Sequence, residues 1–162
     1  MAGSLVDRMV GAAFLNTDTF EEVEHDETAT GQAALVVVMV AVAYAIGGYG
    51  GGLTGALGAA GAALLSWLVW AGITFLVGTK IFGGTASWGE LLRTLGFAQS
   101  AGVLAVLGIL PLLGWILLMV LPLWIAIAGF IAIRQALDID NWKTFLVVLV
   151  AWGVQMLLHV VF

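Results

Sequence analysis

The chain has 162 residues, of which 62% are hydrophobic and 9% charged, with a formal net charge of −5 and no cysteine. This composition excludes an ordinary water-soluble domain, disulfide and thiol chemistry, and the clustered Lys and Arg that nucleic-acid binding requires. No nucleic-acid partner is expected.

Residues 1–27 read as an interfacial segment, amphipathic and then acidic. Leu5, Val6, Met9, Val10, Ala13 and Phe14 share one side of a helix, while Ser4, Asp7 and Arg8 share the other, the pattern of a helix lying along a bilayer surface. In NTDTFEEVEHDE, Phe20 and Val23 stand among Glu21, Glu22, Glu24 and Asp26, and Thr19 and Glu22 have capping-box spacing. His25 among these acids reads as part of a solvated acidic face.

Beyond this point Asp, Glu, Lys and Arg vanish from residues 28–79, 94–133 and 144–162. A membrane-spanning helix needs roughly 20 apolar residues. The runs therefore hold two, two and one spans, at about 28–49, 53–78, 90–109, 111–133 and 144–162. The expected fold is all-α, a polytopic integral membrane protein built as a five-transmembrane-helix bundle. The stretch GGYGGG, residues 47–52, reads as a tight reversal. In the second span Gly55, Gly58 and Gly61, with Thr54 and Ala62, place small residues at helix-packing spacing, which predicts that its first half packs inside the bundle.

The third span starts in water. Ser87 and Glu90 have the Ser-x-x-Glu spacing of a capping box, and Arg93, one turn later, reads as an interfacial anchor partnered by Glu90. Ser87, Glu90 and Arg93 are thus candidates for anchoring the third helix at the cytoplasmic face. Pro111 suits the first turn of the fourth span, and Pro122 predicts a kink in its middle.

With five spans, Arg8, Lys80, Arg93, Arg134 and Lys143 all fall on the side of the N-terminus. The positive-inside rule makes that side cytoplasmic and puts the C-terminus outside. No span centre carries a charge, and no carboxylate pair, His pair, nucleophile set or metal-ligand spacing is present. No catalytic residue, metal site or cofactor is expected, and an enzyme is not. The remaining polar groups, Ser66, Gln99, Ser100 and Gln155, are expected to form an interhelical polar cluster facing the bundle interior. The alternative is a polar path near Gln99 and Gln155 in a small transporter or channel.

The run GELLRTLGFAQSAGVLAVLGILPLLGWILLMVLPLWIAIAGFIAIRQALDIDNWKTFLVVLV resembles the core of the Yip (Ypt/Rab-interacting protein) domain family. The likeness lies in an in-membrane Arg-x-x-Gly after an acidic helix start, a Pro-containing turn, and a basic loop entering a last hydrophobic span. The upstream FEEVEHDETATGQAAL resembles prokaryotic-type members. The resemblance implies five spans with a cytoplasmic N-terminus. Eukaryotic relatives are associated with Rab-type GTPases and vesicle traffic, but their Asp-Leu-Tyr-Gly-Pro type signature is missing here, so Rab-type GTPase binding is not expected. The leading expectation is a non-enzymatic protein of a prokaryotic inner membrane. It would act by association, organising the membrane or serving as an accessory subunit, with the lipid bilayer and either a membrane-protein partner or further copies of itself as partners.

Overall fold

The computed structural model describes residues 3–49 and 52–161, and every regular element among them is helical. Two short helices, α1 (Leu5–Ala13) and α2 (Thr17–His25), precede α3 (Ala29–Tyr44), α4 (Gly52–Lys80), α5 (Trp88–Ala98), α6 (Pro111–Leu137) and α7 (Asn141–Val161). The stretches Ala29–Gly47, Gly55–Lys80, Trp88–Ile109 and Leu112–Leu137 are long and apolar enough to cross a membrane, and a shorter apolar stretch covers Asn141–Leu157. The protein is an all-α, five-helix membrane bundle. Gly50 and Gly51, at the centre of the expected reversal, lie outside the described residues; the five residues before them, Ala45–Tyr49, wind as a π-helix.

The third span departs from a single α-helix. It is α-helical to Ala98 and then runs as a 3₁₀ helix from Ser100 to Ile109. The Ser100 hydroxyl donates to Phe97 O at 2.6 Å and Gly102 N–H to Gln99 O at 2.7 Å, which keeps the carbonyls at the changeover bonded. A 3₁₀ helix rises about 2.0 Å per residue against about 1.5 Å in an α-helix. Ten residues therefore reach about 5 Å further than they otherwise would, enough to carry a span of modest length across the hydrocarbon layer.

Small residues do bring helices together, although between α3 and the third span. A Cβ on Gly96 would stand 2.7 Å from Ala33 Cβ and 3.1 Å from Ala33 O, and one on Gly102 would stand 2.6 Å from a Val40 methyl. On α4 the expected packing is reversed. Gly58 and Gly61 face open space, and Leu57 and Leu65 are exposed beside them. The buried stripe is instead Ala56, Trp67, Ala71 and Thr74. Gly58 and Trp67 stand nine residues apart, about two and a half turns, and so lie on opposite sides of the helix. Burying the indole removes far more apolar surface from water or lipid contact than burying glycine, and that sets which side of α4 turns inward.

The connections after α4 and α6 meet at one end of the bundle. Thr85 N–H donates to Leu137 O at 3.1 Å and the Thr85 hydroxyl to Asp138 at 3.2 Å. Lys80 at the end of α4 and Lys143 in the first turn of α7 therefore share that end. α6 continues through Pro122 from Pro111 to Leu137.

Candidate functional site

The chain begins with a tight helical hairpin whose charges are turned inward. Ser4 and Asp7 make a reciprocal capping box that starts α1, and Asn16 caps α2 by accepting from Asp18 N–H at 2.9 Å. This cap starts α2 ahead of the Thr19–Glu22 spacing, because the Asn16 side chain is already in place at Thr17. Leu15, at φ 61°, closes the turn between the helices. Gly11 lets α2 lie against α1, since a Cβ there would meet the Thr19 hydroxyl at 2.2 Å.

Arg8, expected on a solvated face, is 1% exposed. Its guanidinium bonds Glu22 at 3.0 Å, Asp26 at 2.5 Å and the Gln32 amide oxygen at 2.9 Å, joining α1, α2 and α3. The acids of α2 explain the reversal: a planar fork with five donors is satisfied more fully by two carboxylates and an amide than by a headgroup layer. Asp26 is pushed down to about 2, first by the Thr28 hydroxyl and then by Arg8. With Arg8 turned in, α1 exposes Val6, Val10 and Phe14 along one line.

Arg93 is 5% exposed and is also used differently from expectation. The Ser87–Glu90 capping box forms, with Glu90 N–H donating to Ser87 Oγ at 3.2 Å and Ser87 N–H donating to the Glu90 carboxylate at 2.9 Å. That engagement at the first turn commits Glu90. The Arg93 guanidinium turns to the end of α2, where Nε donates to Val23 O at 2.9 Å and to Glu24 O at 3.1 Å, Nη2 also donates to Glu24 O, and Nη1 reaches Thr30 Oγ1 at 3.5 Å. A cation on the last carbonyls of a helix satisfies groups that lack intrahelical partners and complements the helix dipole. Arg93 therefore pins α2 to α5.

The Glu24 side chain beside this contact is buried, and burial pushes its carboxyl up to about 7; Glu90, Asp138 and Glu21 push the same way and His25 opposes them. A folded-state value above the ordinary 4.5 means that the folded protein binds this proton more tightly. The resulting stabilisation is fully present below about pH 4.5 and is lost as pH rises through about 7. His25, raised chiefly by its bond to Glu21 O, loses its contribution in the same direction. Hydrogen exchange corrected for intrinsic rate should show α2 amides roughly tenfold less protected at pH 8 than at pH 5.5. Glu24→Gln should flatten most of that difference.

Near the midpoint of α4, Gln155 Nε2 donates to Ser66 Oγ at 3.0 Å, and Ser66 is exposed at the edge of the bundle rather than facing its interior as expected. Gln99 lines the same cavity of about 470 Å³, which lies among α4, α5, α6 and α7. The structure thus gathers Ser66, Gln99 and Gln155. Ser100 stands apart: its hydroxyl is spent on Phe97 O, and it borders a second, almost wholly apolar cavity of about 610 Å³ between α1, the 3₁₀ segment and α6. Across that space Trp124 Nε1 donates to Ala13 O at 2.7 Å, a further tie between hairpin and bundle. Among the described residues no group of His, Asp and Glu is placed to hold a metal ion.

The two arginine clamps are the residues whose roles a reading of the sequence misses. For Arg8 the signal available in the sequence is the acidic, capped segment preceding the first span, whose Glu22 and Asp26 give its guanidinium partners inside the protein. A family model described as the Yip1 domain matches residues 11–162. No curated protein sequence and no solved structure matches the chain.

Proposed function

Because the chain belongs to the Yip1 domain family, we propose that this integral membrane protein is non-enzymatic and works by association, organising a prokaryotic inner membrane or serving as an accessory subunit of a complex within it. The observation that carries the reading is the outward face of α4, where Gly58 and Gly61 leave room for another helix to approach closely. The charged groups support it as well, being engaged in capping and in pinning the hairpin. Purification of the full chain from native membranes in mild detergent tests the proposal. A stoichiometric membrane-protein partner, or a defined homo-oligomer disrupted by Gly58→Leu, is the expected result. A monodisperse monomer with no partner contradicts it.

The proposed orientation puts the N-terminus and the connections after α4 and α6 in the cytoplasm. All five basic residues belong to that end or to segments joined to it. Gly84 is a poor site for a reporter cysteine, since a Cβ there would stand 2.8 Å from a Leu137 methyl and 3.0 Å from Leu137 O. Ile81, 67% exposed, is a better one. In a chain without native cysteine, Ile81→Cys should resist an impermeant thiol reagent in intact cells and react once the cells are opened. Reaction in intact cells reverses the orientation.

A further inference from the structure

The cavity holding Gln99 carries an inference beyond association. It lies near the midpoints of α4 and α6, beside Ser66 and Pro122, at the depth where a bilayer is hydrocarbon. Its walls are mostly apolar and aromatic, and no charged residue lines it. Its volume of about 470 Å³ falls in the range of small-molecule sites. Ser66, Pro122 and Trp152 are exposed at its edge, so it opens sideways towards the surrounding bilayer.

The Gln99 amide decides what such a space accepts. Among the described residues it has no hydrogen-bond partner, although a neighbouring indole, Trp67, donates to Leu92 O at 3.0 Å. An amide that faces an apolar space without a partner is left to be satisfied by whatever enters that space. The amide supplies donors and an acceptor but no charge, so the complementary group is a hydroxyl or carbonyl, and a phosphate or ammonium would be left uncompensated. Room for the apolar body is provided at Gly129, which borders the cavity and where a Cβ would meet nothing within 4 Å.

We infer that this cavity is a binding site for a neutral membrane lipid, its hydroxyl or carbonyl bonded to Gln99 and its apolar body lying along the aromatic wall formed with Trp67, Trp70 and Trp152. The site draws its ligand from the bilayer and is independent of which protein the chain associates with.

The test uses the full chain reconstituted in phosphatidylcholine vesicles with photoactivatable probes of one chain length: a long-chain alcohol, the matching carboxylate and the matching hydrocarbon. Peptides covering 122–133 and 148–155 should be labelled by the alcohol about fivefold more than by the hydrocarbon, the ratio expected of one net hydrogen bond. Unlabelled alcohol should compete, and the exposed residues Trp115 and Ile116 of α6, which line neither cavity, should show neither preference nor competition. Gln99→Leu should bring the alcohol-to-hydrocarbon ratio to about one while hydrocarbon labelling persists, which shows the cavity still formed. Gly129→Leu, which adds helix propensity and fills the space, should abolish labelling by both. Equal labelling of the cavity and of Trp115 and Ile116, unchanged labelling in Gly129→Leu, or preference for the carboxylate overturns the assignment. So does solute flux through the vesicles that is lost in Gln99→Leu, since that makes the cavity an aqueous path.

Discussion

Replacing Arg93 with alanine is expected to detach α2 from the bundle and to lower stability by about 3 kcal/mol, because the change strands buried carbonyls that a charged donor had satisfied. Val23 O and Glu24 O each receive bonds from this guanidinium. Hydrogen exchange over residues 17–25 of the detergent-solubilised protein should rise sharply, and proteolysis near Glu27 should accelerate. Lysine should restore only part of the effect, since it keeps the charge but cannot bond two carbonyls and the Thr30 hydroxyl with one planar group. An alanine variant whose α2 amides stay protected would show that the apolar contacts of Phe20 and Val23 hold the hairpin unaided.

A comparable loss, about 2 to 3 kcal/mol, is expected from Gly96→Ala, an overpacking that forces α3 and α5 apart. The added methyl meets both a side chain and a backbone carbonyl of α3, at 2.7 and 3.1 Å, so no rotamer change relieves it. Pairing it with Ala33→Gly removes the first clash and leaves the second. A double-mutant cycle read from unfolding in mixed micelles should therefore return a favourable coupling of about 1 kcal/mol and incomplete rescue. Strict additivity would mean that the two helices accommodate the methyl by moving elsewhere. Together, Arg93 and Gly96 give a physical content to the Arg-x-x-Gly pattern: one residue holds the hairpin, and the other, a turn deeper, sets the distance to the first span.

Charge-free runs make the all-α membrane fold legible, because a hydrocarbon solvent tolerates few alternatives to an apolar helix. The Ser87–Glu90 box is a strictly local interaction and could be read directly. Arg93 could not, since its partner lies 70 residues away and is a backbone carbonyl that no side-chain pattern announces. The inward side of α4 is hidden from the sequence for a related reason. Glycine spacing tells only that close approach is allowed, whereas the position of Trp67 determines which side is used. The polar residues of the spans look alike in the sequence, and three of them line a single cavity. Ser100 separates from them because the switch to a 3₁₀ helix turns its hydroxyl onto the preceding turn, and nothing in the composition of that stretch distinguishes ten 3₁₀ residues from ten α-helical ones.

The distance along the chain between the hairpin and its clamp also orders events at the ribosome. Val23 is made 70 residues before the arginine that donates to its carbonyl, an interval of roughly 4 to 14 seconds at ordinary elongation rates. During that time two spans have been synthesised while α2 still waits for its final tether, and Arg8 is neutralised by Glu22 and Asp26 of its own nascent segment while Gln32 accepts a further bond. The first 27 residues therefore lack the Arg93 tether until the third span is made, and a pause in translation before codon 93 would prolong that interval without altering the finished fold.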